Sequence, residues 1–314
     1  MTSRDWNKLG EALTTQTDGN VWANEPMSKH TSWRTGGPVR AFVEPKTPAG
    51  FESALTWVRE QNIDHIILGA GSNVLWADQP YGGVVLHTET ALDELIFLSS
   101  DTMKAGAGVR LNRILTNAME RGLGGFAFMY GIPGTVGGAV RMNAGTSIGS
   151  MNDVLIDALV VDGVGNSAWI DKEDLNLEYR SSNLGPGDVV LEARLKSTGS
   201  FSAEEKAALK SAKEYRRATQ PLQFPSGGSV FKNPPQHKAG ALIEQAQLKK
   251  RRVGGAEVSS LHANFIIQDG SATSDDIRQL IREVQAEVFR VHEVWLEPEV
   301  QFLGPWSEED VDAT

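Results

Sequence analysis

Hydrophobic and polar positions along the chain follow two periods, and the switch from one to the other marks out its elements. Residues 1 to about 28 are polar and weakly patterned, which suits a short helix followed by an extended lead-in. From Arg40 the run Ala-Phe-Val-Glu alternates, and Pro45 and Pro48 close it. Between Ala49 and Gln61, Leu55 and Val58 stand among polar residues, so a helix is expected to feed the strand His65-Ile-Ile-Leu68. With the strand Gly83-Val-Val-Leu86 this makes a small β-α-β unit whose ligand loop lies at a strand end.

Next come a strand Thr102–Ala105 and a helix Arg110–Arg121 with Ile114, Leu115, Ala118 and Met119 at helical spacing. Short alternating runs around 156–160, 166–170 and 189–195 read as β-rich structure. A charged helix, about Ala203 to Arg217, is expected at a domain junction and stops at Pro221 and the loop 225–229. Near the end, Ile277, Leu280, Ile281, Val284, Val288 and Val291 form one stripe of a helix, for which Ser274 is the expected N-cap and two aspartates the acidic first turn. The tail 307–314 is acidic and expected to fray. The division this suggests is 1–90, 91–202 and 203–306, followed by the tail.

With 314 residues the chain is long enough for two or three domains. Lys plus Arg total 30 against 40 Asp plus Glu, a formal charge of -10, so neither nucleic acid nor an anionic membrane is an expected partner. The absence of cysteine excludes disulfides, thiolate nucleophiles and cysteine-based metal sites. No apolar run approaches the roughly 20 residues of a bilayer span, and the N-terminus lacks the apolar region of a secretory signal. A cytoplasmic location is expected.

Two glycine-rich segments carry the first chemical signal. Gly69, Ala70, Gly71, Ser72 and Asn73 follow a strand, and Gly131, Ile132, Pro133, Gly134, Thr135, Gly137, Gly138 and Ala139 form the second. Glycine lets backbone N–H groups approach a ligand closely, which suits a pyrophosphate and hence a nucleotide-containing cofactor. The first is not a G-x-G-x-x-G fingerprint, since position 74 is valine, and both also read as structural turns.

Further along, Gly227-Gly-Ser-Val-Phe-Lys-Asn-Pro234 puts a hydroxyl, an ammonium and an amide close together. If the run is extended, Ser229, Phe231 and Asn233 point one way and Val230 and Lys232 the other. Ser229 lacks a nucleophile elbow, leaving a proton-donor or hydrogen-bonding role, or simply a surface turn. Arg180, beside Tyr179, would hold a carboxylate bidentately, or else be a solvated charge. Glu297 and Glu299 flank Pro298 on an edge or bulged strand, where a tuned carboxylate would relay a proton and an untuned one would face solvent. The six histidines show no metal-ligand spacing, so no metal site is expected.

The segments 30–38, 69–78, 131–145, 179–182, 228–234, 262–265 and 296–300 occur in the order found in the UDP-N-acetylenolpyruvoylglucosamine reductase family, which the chain resembles over about residues 25 to 304. The resemblance implies an α+β protein with the vanillyl-alcohol oxidase/PCMH-type FAD-binding fold and an additional C-terminal substrate-binding domain. It implies that NADPH reduces FAD, and that the enolpyruvyl ether of UDP-N-acetylglucosamine then receives hydride and a proton to give UDP-N-acetylmuramate, in peptidoglycan precursor synthesis.

By motif position, Ser229 resembles the proton donor, while Arg180 and Glu299 resemble the residues that bind or polarise the substrate carboxylate. The two glycine-rich loops resemble the flavin contacts. Lys232 and Asn233 resemble substrate or nicotinamide-site ligands, and Arg216 or Arg217 with Gln220 would serve the uridine diphosphate end. The length matches the shorter subclass, and the oligomeric state stays open, a monomer included. The chain departs from the family at Ile148, where glycine is usual, and at Gln301, where arginine is common. Two rivals are another FAD-dependent oxidoreductase of the same fold and a noncatalytic FAD- or sugar-nucleotide-binding protein.

Overall fold

A computed structural model describes residues 3–307. The chain divides into two interleaved units. The first gathers the chain up to Ala23 with Ala41–Ala70 and Gly83–Lys213; the second holds Asn24–Arg40, Gly71–Gly82 and the chain from Glu214. The last boundary falls inside the helix Ala203–Thr219, at whose beginning the sequence suggests a junction.

In the first unit a single apolar core draws on residues from both 1–90 and 91–202, Phe51, Val84, Met103, Ile114 and Leu195 among them. Helix Pro48–Glu60 begins where Thr47 Oγ1 accepts from Gly50 N at 3.1 Å and Pro48 supplies a preset first turn. Phe51, Ala54, Leu55 and Val58 recur along one face and are buried. Strand His65–Leu68 runs parallel to Tyr81–His87, with Leu68 opposite His87, so Gly69 emerges at the carboxyl end of a parallel pair. Both strands belong to a four-stranded sheet completed by Asn20–Pro26 and Pro38–Glu44.

A five-stranded antiparallel sheet is ordered Ser167–Asp171, Leu155–Val161, Val189–Lys196, Thr102–Gly106, Leu95–Phe97. Helix Leu111–Glu120 buries Leu111, Ile114, Leu115 and Ala118. One expectation needs correction here: the second glycine-rich segment is not loop throughout. From Val136 it becomes the helix Val136–Arg141, because Val136, Ala139 and Val140 share a buried face that compensates for two helical glycines.

The second unit has its own core, which includes Trp33 and Leu75 from the early part of the chain. Trp33 Nε1 donates to Ile266 O at 3.0 Å, and Val74–Trp76 pairs parallel with Gln301–Leu303. These contacts account for the membership of 24–40 and 71–82 in this unit. Helix Ser274–His292 buries Ile277, Leu280, Ile281, Val284 and Val288, a stripe that stops short of Val291, which is 41% exposed.

The N-cap of that helix is Thr273, not Ser274. Thr273 Oγ1 accepts from Asp276 N and Asp276 Oδ2 accepts from Thr273 N, each at 3.0 Å, a reciprocal arrangement that needs a three-residue spacing. Ser274 is buried instead and donates to Thr35 Oγ1 at 2.8 Å. The short helix Ala239–Gln245 carried no sequence signal strong enough to be expected. No helix among the described residues is long and apolar enough to cross a membrane. The tail expected to fray lies outside the described residues beyond Ser307. Thr273→Ala is expected to lower stability by about 1 kcal/mol, read as a lower urea midpoint with an unchanged slope; an unchanged midpoint would remove the cap from the account.

Candidate active site

In the first unit the two glycine-rich segments meet. A side chain at Gly69 would overlap the Thr135 hydroxyl, so this approach requires glycine. The segment 131–139 is fastened by its main chain: Leu111 N donates to Gly134 O at 3.1 Å, Val136 N to Val109 O at 3.0 Å and Gly137 N to Ala107 O at 2.9 Å. Arg110 braces it from outside, donating to Pro133 O at 3.3 Å and to Glu89 Oε2 at 2.7 Å. The other oxygen of Glu89 is buried with no hydrogen-bond partner among the described residues. Gly138 faces open space, with nothing within 4 Å of where a side chain would start. Ile132 packs on the core, Ala139 is buried and Pro133 is exposed.

Arg180 also belongs to the first unit. It stands at the tip of a tight turn closed by Glu178 N to Ser181 O at 3.2 Å and Ser181 N to Glu178 O at 3.3 Å. Its backbone is left-handed, φ 57°, a conformation that costs a non-glycine residue free energy and is held by its surroundings. The holding contacts come from 141–145: Arg180 Nη2 donates to Gly145 O at 2.8 Å, Asn143 Nδ2 to Glu178 O at 2.8 Å and Ser182 Oγ to Arg141 O at 2.7 Å. The guanidinium carbon lies 5.0 Å from the Tyr179 ring centre. Ile148, at the usual glycine, sits exposed in the adjoining hairpin and is not among the residues of positive φ, so the side chain is accommodated there without backbone strain.

The second unit brings Ser229, Glu299, Lys232 and Asn73 together. A side chain at Gly227 would stand 2.6 Å from the Trp33 ring, and Gly228 has φ 81°, so the approach to Ser229 is a turn that only glycine makes cheaply. Val230 and Phe231 are both buried, so both faces of the run after Ser229 are covered, and its main chain is hydrogen-bonded along both edges. On one side Glu299 N donates to Val230 O at 2.7 Å and Lys232 N to Glu297 O at 2.9 Å, with Phe231 bridged to Pro298. Lys232 Nζ also reaches Glu297 Oε1 at 2.5 Å, which takes Glu297 out of contention as a free carboxylate and leaves Glu299 partly buried beside the Ser229 segment.

The first loop continues into this unit: Asn73 Nδ2 donates to Glu299 O at 2.8 Å, and Gln301 N donates to Asn73 O at 2.9 Å. Gly71 O accepts from Ser32 N at 3.1 Å, and Ser72 is partly buried next to it. Asn233 has a structural duty, its Oδ1 accepting from Ala239 N, the first amide of helix Ala239–Gln245, at 3.0 Å. At the end of helix Ala203–Thr219, Arg216 is partly buried, Arg217 is exposed, and Gln220 N closes the helix on Arg216 O at 2.9 Å. The Gln220 Oε1 is buried with no partner among the described residues.

Asn264 was assigned no role from sequence. It is 5% exposed, and its main-chain O accepts from Val230 N at 2.9 Å, its Oδ1 from Phe231 N at 3.0 Å, while its Nδ2 donates to Phe231 O at 2.8 Å. The available signal was a polar side chain inside the apolar run Ala263-Asn-Phe-Ile-Ile267, since a buried amide demands partners. His262 supports it: its Nδ1 accepts from Asn264 N at 3.2 Å, which places the ring proton of the neutral form on Nε2. Burial, and then the neighbouring Lys249, hold the His262 pKa below its ordinary value, with Glu244 opposing. No group of three or more potential metal ligands occurs among the described residues.

Residues 220–303 match the family model for the UDP-N-acetylenolpyruvoylglucosamine reductase C-terminal domain, and residues 39–171 match that for a FAD binding domain. The chain is 38% identical to the UDP-N-acetylenolpyruvoylglucosamine reductase of Anoxybacillus flavithermus, covering 95% of this chain and 99% of that protein. It is 42% identical to that of a Synechococcus species, over 89% of this chain and 92% of that one. The crystal structure of the reductase from Thermus caldophilus, 31% identical, superposes with a TM-score of 0.75 over 90% of this chain and 98% of that one.

Because the folded state disfavours the His262 proton, the unfolded chain binds it more readily, and stability rises with pH through the window between the lowered folded pKa and about 6.5. Stability is therefore expected to fall as pH drops below about 6.5, and His262→Gln is expected to flatten that part of a denaturation-against-pH curve; parallel curves for the two proteins would refute the assignment. Gly227→Ala is expected to destabilise by about 1–3 kcal/mol through overpacking against Trp33, measured by the same denaturation.

Proposed function

The chain belongs to the UDP-N-acetylenolpyruvoylglucosamine reductase family, and on that premise we propose that it reduces UDP-N-acetylglucosamine-enolpyruvate to UDP-N-acetylmuramate, a peptidoglycan precursor, with FAD as cofactor and NADPH as reductant. The observation that carries the reading is the joining of Asn73 to Glu299 through its side-chain amide, and of Glu299 to the Ser229 segment through the main chain, which sets a cofactor loop, a carboxylate and a hydroxyl into one frame.

The first unit suits FAD. The FAD binding domain match covers both glycine-rich segments, Gly138 leaves room for a ligand, and the unpartnered Glu89 oxygen beside Pro133 is an acceptor for a ligand amine, imide or hydroxyl. Gly69, Ala70, Gly71, Ser72, Asn73 and the 131–139 segment would hold the group. When bound, the flavin supplies hydride to the vinyl carbon of the substrate.

The reduction adds hydride to one carbon of the double bond and a proton to the other, with negative charge passing through the carboxylate-bearing end between the two events. In this reading Arg180, its guanidinium held by Gly145 O, pairs with the substrate carboxylate and stabilises that charge. Ser229 delivers the proton. A serine hydroxyl is a weak acid in water, so it must be held at the reacting carbon by its neighbours, and the paired segment 230–232 supports such holding. Glu299, next to that segment, polarises the same end of the substrate. Lys232, anchored by Glu297, adds a positive charge near the carboxylate, and Gln220, with its open acceptor, suits a donor of the nucleotide, assisted by Arg216 or Arg217.

Anaerobic stopped-flow absorbance tests this reading. The flavin is expected to bleach with NADPH and to recover when the enolpyruvyl substrate is added. In Ser229→Ala bleaching is expected to be preserved and recovery to slow by about 10²-fold or more. Recovery at the wild-type rate would remove Ser229 from the acid role, and a reduced flavin indifferent to the substrate under anaerobic conditions but reoxidised once oxygen is admitted would point to an oxidase instead.

A further inference from the structure

Ser229 is not fixed by regular secondary structure. It is preceded by Gly227 and Gly228 and followed by a segment whose only ladder contact among the described residues is an isolated bridge. Main-chain polar groups directly after it are nonetheless used up: Val230 N, Phe231 N and Phe231 O by Asn264, Val230 O by Glu299 N, and Lys232 N by Glu297 O. Three of these bonds come from one residue, whose main-chain carbonyl and side-chain amide together stand in for a missing sheet strand. Only asparagine has a planar donor and acceptor at this reach. Aspartate lacks the donor, serine cannot span both groups, and glutamine carries an extra methylene into a site already buried.

We infer that Asn264 is the positioning residue for proton delivery, holding the backbone after Ser229 so that the hydroxyl stays at the reacting carbon and the segment stays in register with Glu299. The inference rests on the reductase reading above. Each polar atom of the Asn264 side chain bonds to main chain, so it acts through Ser229 and not on the reactants. Its own backbone is pinned in turn, Asn264 N donating to His262 Nδ1 at 3.2 Å. Displacement of a catalytic group by about 1 Å costs up to about 10²-fold in rate. The loss should appear in the step that uses the proton and spare the step that does not.

The test uses the FAD-loaded protein, wild type beside Asn264→Ala and the near-isosteric Asn264→Asp, in anaerobic stopped flow. Bleaching by NADPH is expected to stay within about twofold of wild type, while recovery with the enolpyruvyl substrate slows about 10- to 100-fold in both variants, since Asn264→Ala removes both side-chain bonds and Asn264→Asp keeps the acceptor for Phe231 N but sets a second carboxylate oxygen against Phe231 O. The ratio of the two rates within one sample does not depend on how much of it is folded. The solvent deuterium isotope effect on recovery is expected to rise, because a displaced donor makes proton delivery more limiting; a general loosening would leave it unmoved.

Recovery within about twofold of wild type in both variants, or equal slowing of both half-reactions, overturns the inference. Wild-type flavin that bleaches and never recovers with this substrate refutes the reductase reading instead. In that event amide hydrogen exchange over 228–232 decides the positioning by itself: faster exchange confined to that segment in Asn264→Asp upholds it, and unchanged exchange ends it.

Discussion

The pairing of the segment after Ser229 with Glu297-Pro-Glu299 is the contact on which the second unit's chemistry depends. Two main-chain hydrogen bonds, which flank the facing pair Phe231 and Pro298, hold it, and at about 0.5–1.5 kcal/mol net apiece they alone would not fix it. The apolar residues interleaved with them decide the matter. Val230, Phe231, Leu296 and Val300 are each no more than 3% exposed, and burial of such side chains contributes about 1.5–3 kcal/mol apiece. Packing therefore sets the register, and the polar groups between the packed residues inherit their places from it.

Much of this architecture was legible in the chain. Helices Pro48–Glu60, Leu111–Glu120 and Ser274–His292 stand where periodicity puts them, because each buries a single face against one core, and strands Leu155–Val161 and Val189–Lys196 stand where the short apolar runs put them. Local pattern failed where partners are distant. The helix Val136–Arg141 forms in a glycine-rich run because of what its apolar face meets, and the partners of Val230 and Phe231 come from 264 and 297–299, which the local sequence does not disclose. The cap of the last helix failed for a different reason: two hydroxyl residues adjoin, and only the one three positions before a partner carboxylate completes the reciprocal bonds.

The candidate site divides in the same way. Glycine, arginine and glutamate motifs announce themselves by residue type, so Gly69, Arg180, Ser229 and Glu299 are visible in one dimension. What holds them is not. The Thr135 hydroxyl against Gly69, Gly145 O under the Arg180 guanidinium and Asn264 against Phe231 join residues 33 to 66 positions apart, and residue type at one end does not disclose the other. Arg180 shows the energetic side of this. A left-handed arginine is unfavourable by itself, and three hydrogen bonds from 141–145 offset that cost, so the turn and its support form one unit of structure.

The interleaving of the two units bears on how the protein comes into being on the ribosome. Trp33 and Leu75 emerge early, yet the core that receives them is built from residues beyond 214. At about 5–20 residues per second, the stretch between leaves these apolar side chains without their final partners for on the order of ten seconds. The first unit is also incomplete until Lys213 has been made, so early segments of both units wait together on a tethered chain. Nascent molecules of this protein thus pass through a period in which buried-type surface is open to chaperones, set by the order in which the chain visits its two cores.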